Sequence, residues 1–359
     1  MRRRERLDAY LDERGLAAVW FARPNGFAWL TGGDNVVDAS DDAGIAAAGY
    51  DGDDLRVLTT NIEADRLAAE ELPADAVVES YPWHETDLVD ALAARSPTPA
   101  AADVDVPGFE RADATALRQP LADADVGAYR ALGADAAAAV ESVCRDLSAE
   151  TSERAAAAEL TGRLADADVR APVVLVGGAE RVRRYRHFTP TDAELGAYAL
   201  VSVTASRGGL FASLTRTVRF DAPDWYDDRW RASARVASTA LAATRRVGRA
   251  GGTAADVFAR IRDAYAETGF RGEWRHHHQG GAAGFDGREW VATPQSGERV
   301  HLPMGYAWNP TVRGTKTEDT WLVTDDGFKC LTAGDVERER VPAVDADASL
   351  AHALAIRPR

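Results

Sequence analysis

Two predicted β-strands joined by a glycine turn near the middle of the chain constrain the fold more than any other segment. An apolar run covers 200–204, and Gly208 and Gly209 follow. Residues 211–217 read Phe-Ala-Ser-Leu-Thr-Arg-Thr, in which polar residues alternate with apolar ones. Apolar runs and alternation at a period of two predict strands, and a glycine pair between them predicts a turn. We therefore expect a hairpin with Ser202 on its first strand and Ser213 on its second.

The region from about residue 123 onward repeats one pattern twice, two helices followed by strands. Apolar spacing predicts helices over 123–147, 152–167, 223–248 and 254–268. Thr151 or Ser152 is the predicted N-cap of the second helix, and Thr253 with Asp256 resembles a capping box. Strands are predicted near 172–177, 197–204, 209–219, 272–279, 288–293, 305–309 and 317–324. The repeat predicts an α+β domain made of two similar halves.

The pattern of apolar residues in the first part of the chain predicts a smaller α/β domain. Helical spacing covers 4–14, and strands are predicted at 17–22, 56–61 and 77–81. A proline-rich segment after Ser96 indicates a surface connection. We expect one domain over 1–118, a second over 119–335, and a polar tail without assigned structure over 336–359.

Composition and charge exclude several kinds of partner. The chain has 359 residues and a formal net charge of −15, which argues against a phosphate-binding surface and hence against nucleic acid. No apolar run reaches membrane-spanning length, so we expect no membrane partner and a cytoplasmic location. Lysine occurs only at Lys316 and Lys329, while Asp, Ala and Arg abound. This bias is typical of a salt-adapted (halophilic) organism, with an ordinary acidic surface as the alternative.

Three segments resemble one known superfamily. Leu214-Thr-Arg-Thr217 resembles the Ile-Thr-Arg-Thr strand of the methionine aminopeptidase, aminopeptidase P, prolidase and creatinase superfamily. Glu318-Asp-Thr320 with Val323-Thr324 resembles its last metal-binding strand, and Asn25 to Gly32 resembles a segment of the creatinase-type N-terminal domain. The resemblance implies a C-terminal pita-bread domain with pseudo-two-fold halves, preceded by a smaller creatinase-type α/β domain. It also implies a homodimer.

The resemblance covers the metal ligands of that superfamily only in part. Its metallopeptidases bind two divalent ions with two Asp, one His and two Glu, and the ions activate a shared water. In this sequence the matching positions are Ser202, Ser213, Gly281, Asn309 and Glu318. Uncharged hydroxyl and amide groups are poor ligands for a pair of divalent ions, so we expect no dinuclear metal site and no cofactor.

Other positions of the resemblance keep chemically active side chains. His187 precedes Pro190-Thr-Asp192 and matches the acid/base histidine of creatinase, which works without metal. Arg288 takes the place of a substrate-side histidine and is expected to hold a substrate carboxylate, with an ion pair to Glu289 as the alternative. Glu318 is expected to orient a water or a cationic nitrogen. The predicted substrate-binding residues are Ser202, Ser213, His277, His278 and Asn309.

Three consecutive histidines, His276 to His278, form the most conspicuous local cluster. On the predicted strand 272–279, His276 and His278 would share one face and His277 the other. Two interpretations stay open. The segment is a polar strand that lines the cleft, or it rebuilds a metal site together with His187 and Glu318.

Three functions follow from these patterns. The first is metal-independent binding or hydrolysis of a small amide or amino-acid-like substrate, with His187 as acid/base. The second is an inactive pseudo-peptidase that binds peptides or proteins. The third is an aminopeptidase with a rebuilt metal site. The expected ligand is in each case a small amide or peptide-like molecule, or a peptide segment of a protein.

Overall fold

The chain divides into two units in the computed structural model, Met1–Ala122 and Asp123–Arg359. The structure describes residues 3–344 and 347–358. Residues 1–2 of the first predicted domain and residues 345–346 and 359 of the predicted tail therefore lie outside the described residues. Both units combine helices with sheets, which confirms the predicted α+β class. No helix of the described chain combines the length and the apolar composition that crossing a bilayer requires.

The first unit is a six-stranded sheet with helices in its connections. The strands lie in the order β4-β3-β2-β1-β5-β6, with β1 antiparallel to β2 and parallel to β5. Its elements are α1 (Arg3–Arg14), β1 (Ala18–Phe21), α2 (Pro24–Thr31), β2 (Ala46–Tyr50), β3 (Leu55–Thr60), α3 (Ala64–Glu70), β4 (Val77–Tyr81), α4 (Leu88–Arg95), β5 (Ala100–Ala102), β6 (Glu110–Arg111) and α5 (Ala114–Arg118).

Strand β2 shows why this sheet is covered on both sides. Its neighbouring alanines point to opposite faces, as the two-residue period of a strand requires. Ala47 packs in one apolar cluster with Trp20, while Ala46 and Ala48 pack in another with Phe27. Small side chains at the centre of the sheet let helices approach both faces closely.

The second unit contains two helix pairs of matching length. Helices α6 and α9 have 24 residues each, and α7 and α10 have 14 each, as the predicted repeat requires. Its elements are α6 (Asp123–Asp146), α7 (Glu153–Asp166), β7 (Arg170–Gly178), α8 (Ala179–Val182), β8 (Tyr198–Arg207), β9 (Leu210–Arg219), α9 (Tyr226–Arg249), α10 (Ala254–Glu267), a 3₁₀ turn (Glu273–His276), β10 (Gly280–Ala283), β11 (Trp290–Val291), β12 (Met304–Trp308), β13 (Thr311–Val312), β14 (Thr315–Lys316), β15 (Asp319–Val323), β16 (Phe328–Cys330), β17 (Arg338–Pro342) and β18 (Ser349–Ala353).

Helices α7 and α10 begin at the capping residues that the sequence predicts. Ser152 is the N-cap of α7, and its Oγ accepts a hydrogen bond from the Ala155 amide at 3.1 Å. Thr253 and Asp256 form the predicted capping box at the start of α10. Each cap satisfies amide groups that the first turn of a helix leaves without a backbone partner.

The central hairpin forms as the sequence predicts. Strands β8 and β9 pair antiparallel, and Gly208 and Gly209 turn the chain with φ of 56° and 74°. Ser202 lies opposite Thr215, and Thr204 lies opposite Ser213. Because residues two apart share a face, this register places a run of hydroxyl side chains together on one side of the hairpin.

A second sheet meets this hairpin beside the same hydroxyl groups. Its strands lie in the order β11-β10-β12-β15-β16. The Thr215 amide donates to the Glu318 carbonyl at 3.0 Å, and the Ser213 amide donates to Thr320 Oγ1 at 2.8 Å. The junction between the two sheets therefore brings Glu318 next to Ser213 and Thr215.

The predicted strand over 272–279 is wrong. Gly272 has a φ of 97° and precedes a 3₁₀ turn over Glu273–His276, and the next strand along the chain begins at Gly280. Trp274 packs edge-on against Phe258 of α10 at 5.5 Å between ring centroids. The turn and this contact hold the segment against the helix, so the alternating faces expected for the three histidines do not exist.

The segment treated as a polar tail is part of the fold. Within its described residues, β17 and β18 form a hairpin, and the Ile356 amide and carbonyl bond to Thr217 and Arg219 of β9. Val341 and Leu350, which lie opposite each other in this hairpin, are buried. The tail was predicted to lack structure because most of its residues are polar, but it forms two short strands with one buried apolar face.

A buried ion network joins α6, β9 and β15. The Arg216 guanidinium donates to Glu141 at 3.0 Å and to Asp319 at 2.9 Å, and all three side chains are buried. Arg338 donates to the other oxygen of Asp319 at 2.7 Å. Burial would raise the pKa of Asp319, but the positive charges of Arg216 and Arg338 outweigh it and lower this pKa.

Replacing Arg216 by Met should destabilise the protein by about 3 to 5 kcal/mol, because it leaves Glu141 and Asp319 buried without their shared cation. The matched control is Arg154→Met. Arg154 pairs with Asp192 at 2.8 Å, but these side chains are 62% and 84% exposed, so its removal should cost at most about 1 kcal/mol. Urea unfolding measures both. Equal losses in the two variants would contradict this assignment.

Candidate active site

A cavity of about 570 Å³ lies beside the three-stranded sheet of β7, β8 and β9. Its wall combines apolar residues from β7 to β9 with polar and charged side chains from β8, from β14 and from loops. The polar and charged lining residues are His187, Ser202, Thr204, His278, Asp286, Arg288, Asn309, Lys316 and Glu318. The cavity is thus the place where most of the predicted site residues come together.

Glu318 is held between two positively charged side chains. Lys316 Nζ donates to its Oε2 at 2.7 Å, and Arg288 donates to its Oε1 at 3.0 Å. Thr215 Oγ1 also donates to Oε2 at 2.7 Å. Lys316 and Glu318 have side chains only 5% and 4% exposed, so this pair is buried.

The ionisation of Glu318 follows from these contacts. Burial would raise the pKa of the carboxyl group, but the charges of Lys316 and Arg288 outweigh it and lower the pKa to about 2. The hydrogen bonds from Lys316 and Thr215 act in the same direction. Glu318 is therefore a carboxylate at neutral pH, and its oxygens accept three hydrogen bonds from the protein.

Arg288 was predicted to hold a substrate carboxylate, and in the structure its guanidinium already contacts several protein groups. Its guanidinium donates to Ser213 Oγ at 3.1 Å and to the Gly287 carbonyl at 2.6 Å, besides Glu318. Glu289, the partner that the sequence offers as an alternative, accepts a hydrogen bond from the Phe285 amide at 3.0 Å. Arg288 lines the cavity while most of its donors already bind protein groups.

The hydroxyl groups of the hairpin connect to this charged cluster. Ser202 Oγ lies 2.7 Å from Thr215 Oγ1, and Lys316 Nζ donates to Ser202 Oγ at 3.5 Å. Ser213 Oγ lies 2.9 Å from Thr204 Oγ1. These serines thus take part in a hydrogen-bond network around Glu318 and its two cations.

The backbone at Gly281 leaves no space for a side chain. A Cβ atom there would lie 1.9 Å from the Trp290 carbonyl oxygen, because β10 packs tightly against β11. Asn309, which follows β12, is buried and lines the cavity, and its Oδ1 has no hydrogen-bond partner among the described residues. A buried amide group without a partner is available for a ligand.

Three histidines meet at one end of the cavity. His187 Nε2 lies 3.3 Å from His277 Nε2, and the rings of His277 and His278 are 4.4 Å apart between centroids. His187 and His278 line the cavity, and His277 is buried behind them. His276, the remaining member of the sequence cluster, is not part of this group of ligand-capable atoms.

The histidines of this group are uncharged at neutral pH. Burial and the charge of Lys316 lower the pKa of His277 to about 2. Burial and the charge of Arg288 lower the pKa of the more exposed His278 to about 4. Burial, followed by the charge of Lys316, also lowers the pKa of His187. A neutral imidazole has a free lone pair, so each ring can accept a proton or bind a metal.

The structure places six predicted site residues on the cavity wall and the other two directly behind it. The wall residues are His187, Ser202, His278, Arg288, Asn309 and Glu318, while Ser213 contacts Arg288 and His277 contacts His187. Sequence analysis missed Lys316. It is one of only two lysines and stands two residues before Glu318, a spacing that puts both side chains on one face of an extended chain.

Comparison with known proteins identifies the family. The sequence matches the family model of Metallopeptidase family M24 over residues 127–325, which is more than half of the chain. It also matches the Creatinase/Prolidase N-terminal domain over residues 3–143. The chain belongs to Metallopeptidase family M24, and the superfamily resemblance seen in the sequence is confirmed. No curated protein matches the sequence.

Solved structures share the fold over nearly the whole chain. The prolidase from Pyrococcus horikoshii OT3 is 16% identical with a TM-score of 0.72, over 93% of this chain and 98% of its own. The dipeptidase PepE from Mycobacterium ulcerans is 20% identical with a TM-score of 0.70, over 95% and 96%. The N-terminal domain of the FACT complex subunit SPT16 from Cicer arietinum is 12% identical with a TM-score of 0.63, over 92% and 96%. The predicted two-domain pita-bread architecture is confirmed.

Lys316→Met should lower the free energy of unfolding by about 3 kcal/mol, because Glu318 would stay buried with one of its two cations removed. Adding Glu318→Gln to this variant should recover part of the loss, since no uncompensated carboxylate then remains. Lys329→Met is the matched control, because Lys329 is exposed and is the only other lysine. Denaturant titration gives all three values. A Lys316 variant as stable as the Lys329 variant would contradict the paired-charge description.

Proposed function

We propose that this chain is a metal-independent member of its family that binds a small amide or amino-acid-like molecule and hydrolyses its C–N bond. The observation that carries the proposal is the position of Lys316 and Arg288. In a family metallopeptidase, two divalent ions neutralise the carboxylates of the site. Here two protein cations already neutralise Glu318, the one carboxylate retained at the family ligand positions.

The other family ligand positions support the same proposal. Ser202 and Ser213 present neutral hydroxyl groups that are engaged with Thr215, Thr204 and Arg288. Position 281 has no space for an imidazole. A cation placed beside Glu318 would meet the charges of Lys316 and Arg288 at close range. These residues do not fit two divalent ions, so no step of the proposed reaction passes through a metal.

The charges of the cavity wall indicate the kind of ligand. Arg288 and Lys316 are positive, Asp286 and Glu318 are carboxyl groups, and the two lining histidines are neutral. A wall with balanced but separated charges fits a ligand with separated charges and no large net charge. A dipeptide has this character, and Oδ1 of Asn309, which has no partner among the described residues, can accept a hydrogen bond from it.

His187 is the proposed acid/base. It lines the cavity and is neutral near pH 7, so it can take a proton from water as the water oxygen bonds to the amide carbon. The same proton then passes to the leaving nitrogen as the C–N bond breaks, which restores neutral His187. The positive charges of Lys316 and Arg288 lie on the same wall, where they favour negative charge on the carbonyl oxygen.

The inactive peptide-binding alternative also has an observation in its favour. Glu318 is ionised, and both of its oxygens are bonded by protein donors, so it cannot serve as a second acid or base. This alternative predicts binding of dipeptides in the cavity without any release of product.

The test is an assay of Xaa-Pro dipeptides and small amides in excess chelator, with product detected by mass spectrometry. We expect hydrolysis in chelator, with a rate that rises with pH through the lowered pKa of His187, below about 6.5. His187→Ala should reduce the rate by about 10² to 10⁴-fold. His276→Ala is the control and should keep the rate, because His276 is exposed and is not among the residues that line the cavity. Turnover that needs added manganese would refute the proposal, and binding without turnover would favour the inactive alternative.

A further inference from the structure

Three imidazoles from two separate segments converge in a way that the proposed reaction does not require. His187 lies between α8 and β8, while His277 and His278 lie between the 3₁₀ turn and β10. One nitrogen from each ring lies within 4.8 Å of the others. The proposed hydrolysis uses only His187, so the positions of the other two rings call for their own explanation.

The spacing of the rings matches a metal site. Zinc bound by histidine has Zn–N distances of about 2.0 to 2.1 Å and tetrahedral geometry, which puts neighbouring nitrogens about 3.3 to 3.4 Å apart. The Nε2 atoms of His187 and His277 are 3.3 Å apart. One nitrogen of His278 lies within 4.8 Å of both of these atoms, so the third corner requires the His278 side chain to move toward them.

The chemistry of the rings also suits a transition metal. Imidazole nitrogens are common ligands of zinc and suit divalent transition metals in general. Nδ1 of His277 is buried without a hydrogen-bond partner among the described residues. Its Nε2 shares a hydrogen bond with His187 Nε2, and an ion bound between the two rings would replace that hydrogen bond.

The charged neighbours reduce the expected affinity without excluding the ion. Lys316 and Arg288 line the same cavity as His187 and His278, and their positive charges oppose a bound cation. Glu318 lies between these two cations, 2.7 Å from Lys316 Nζ and 3.0 Å from the Arg288 guanidinium. The histidines therefore face a paired charge rather than a free cation.

We propose that His187, His277 and His278 form a mononuclear site for zinc or cobalt, with its fourth coordination position open to the cavity. Imidazole ligands favour Zn²⁺ and Co²⁺ over Mn²⁺, and none of the three histidines stands at a position that matches the family's carboxylate-rich pair. An ion bound there would use the lone pair with which His187 is proposed to accept a proton. If the proposed function is right, zinc then inhibits the chain rather than activating it.

The experiment uses the full chain, prepared without a polyhistidine tag and freed of metal by chelation. Cobalt is added and the visible absorption spectrum is recorded, since four-coordinate cobalt gives a strong band that aqueous cobalt lacks. We expect one cobalt per chain, displaced by one zinc. His277→Gln and His278→Ala should each weaken binding by more than about 100-fold, the upper range for loss of an outer-shell partner.

His276→Ala is the matched control, because His276 is adjacent in sequence and exposed but outside the cluster. It should bind cobalt as the unaltered chain does. His278 is exposed, so its alanine variant tests the site even if a variant at buried His277 fails to fold. Absence of the band, or equal binding by the His276 and His278 variants, would overturn the proposal. The spectrum is independent of turnover, so failure of the proposed hydrolysis would leave this result unchanged.

Discussion

The carboxylate of Glu318, held between Lys316 and Arg288, is the interaction on which the site depends. A buried carboxylate without compensation costs several kcal/mol, so a chain that keeps this residue must supply positive charge next to it. Lys316 and Arg288 supply it at 2.7 and 3.0 Å. The hydroxyl groups of β8 and β9 then complete the network, because they donate to or accept from the same three side chains. The result is a polar but electrically balanced wall at the junction of two sheets.

The same electrostatic requirement appears one residue further along the chain. Asp319 points away from the cavity into the buried network with Arg216 and Arg338, while Glu318 faces Lys316 and Arg288. Neighbouring residues of an extended chain point to opposite sides, so one segment carries two separately neutralised carboxylates. One set ties α6, β9 and β15 together, and the other forms the cavity wall. The first set lies in the core, and the second set lines the cavity in which the proposed ligand would bind.

Local patterns predicted the elements of the fold well where side-chain period and turn residues agreed. The hairpin of β8 and β9, the paired helices and the capping residues Ser152 and Thr253 were all predictable from the sequence. The structure of residues 272–279 was not predictable in this way. Gly272 has a positive φ, and Trp274 packs against Phe258 of α10 in a contact that no local sequence pattern indicates. Lys316 could have been found from its rarity and from its two-residue spacing to Glu318. Its contact with Ser202, 114 residues earlier, could not, since that pairing depends on how the two sheets meet.

The central claim is that two protein cations take the part that two metal ions play in the family's metallopeptidases. Manganese is the most direct probe, because it prefers carboxylate ligands and binds weakly to a group of imidazoles alone. The measurement is equilibrium dialysis of the full chain against Mn²⁺, followed by elemental analysis of the protein. We expect the dialysed protein to retain less than one manganese ion per chain. Two manganese ions per chain, lost on Glu318→Gln, would contradict it.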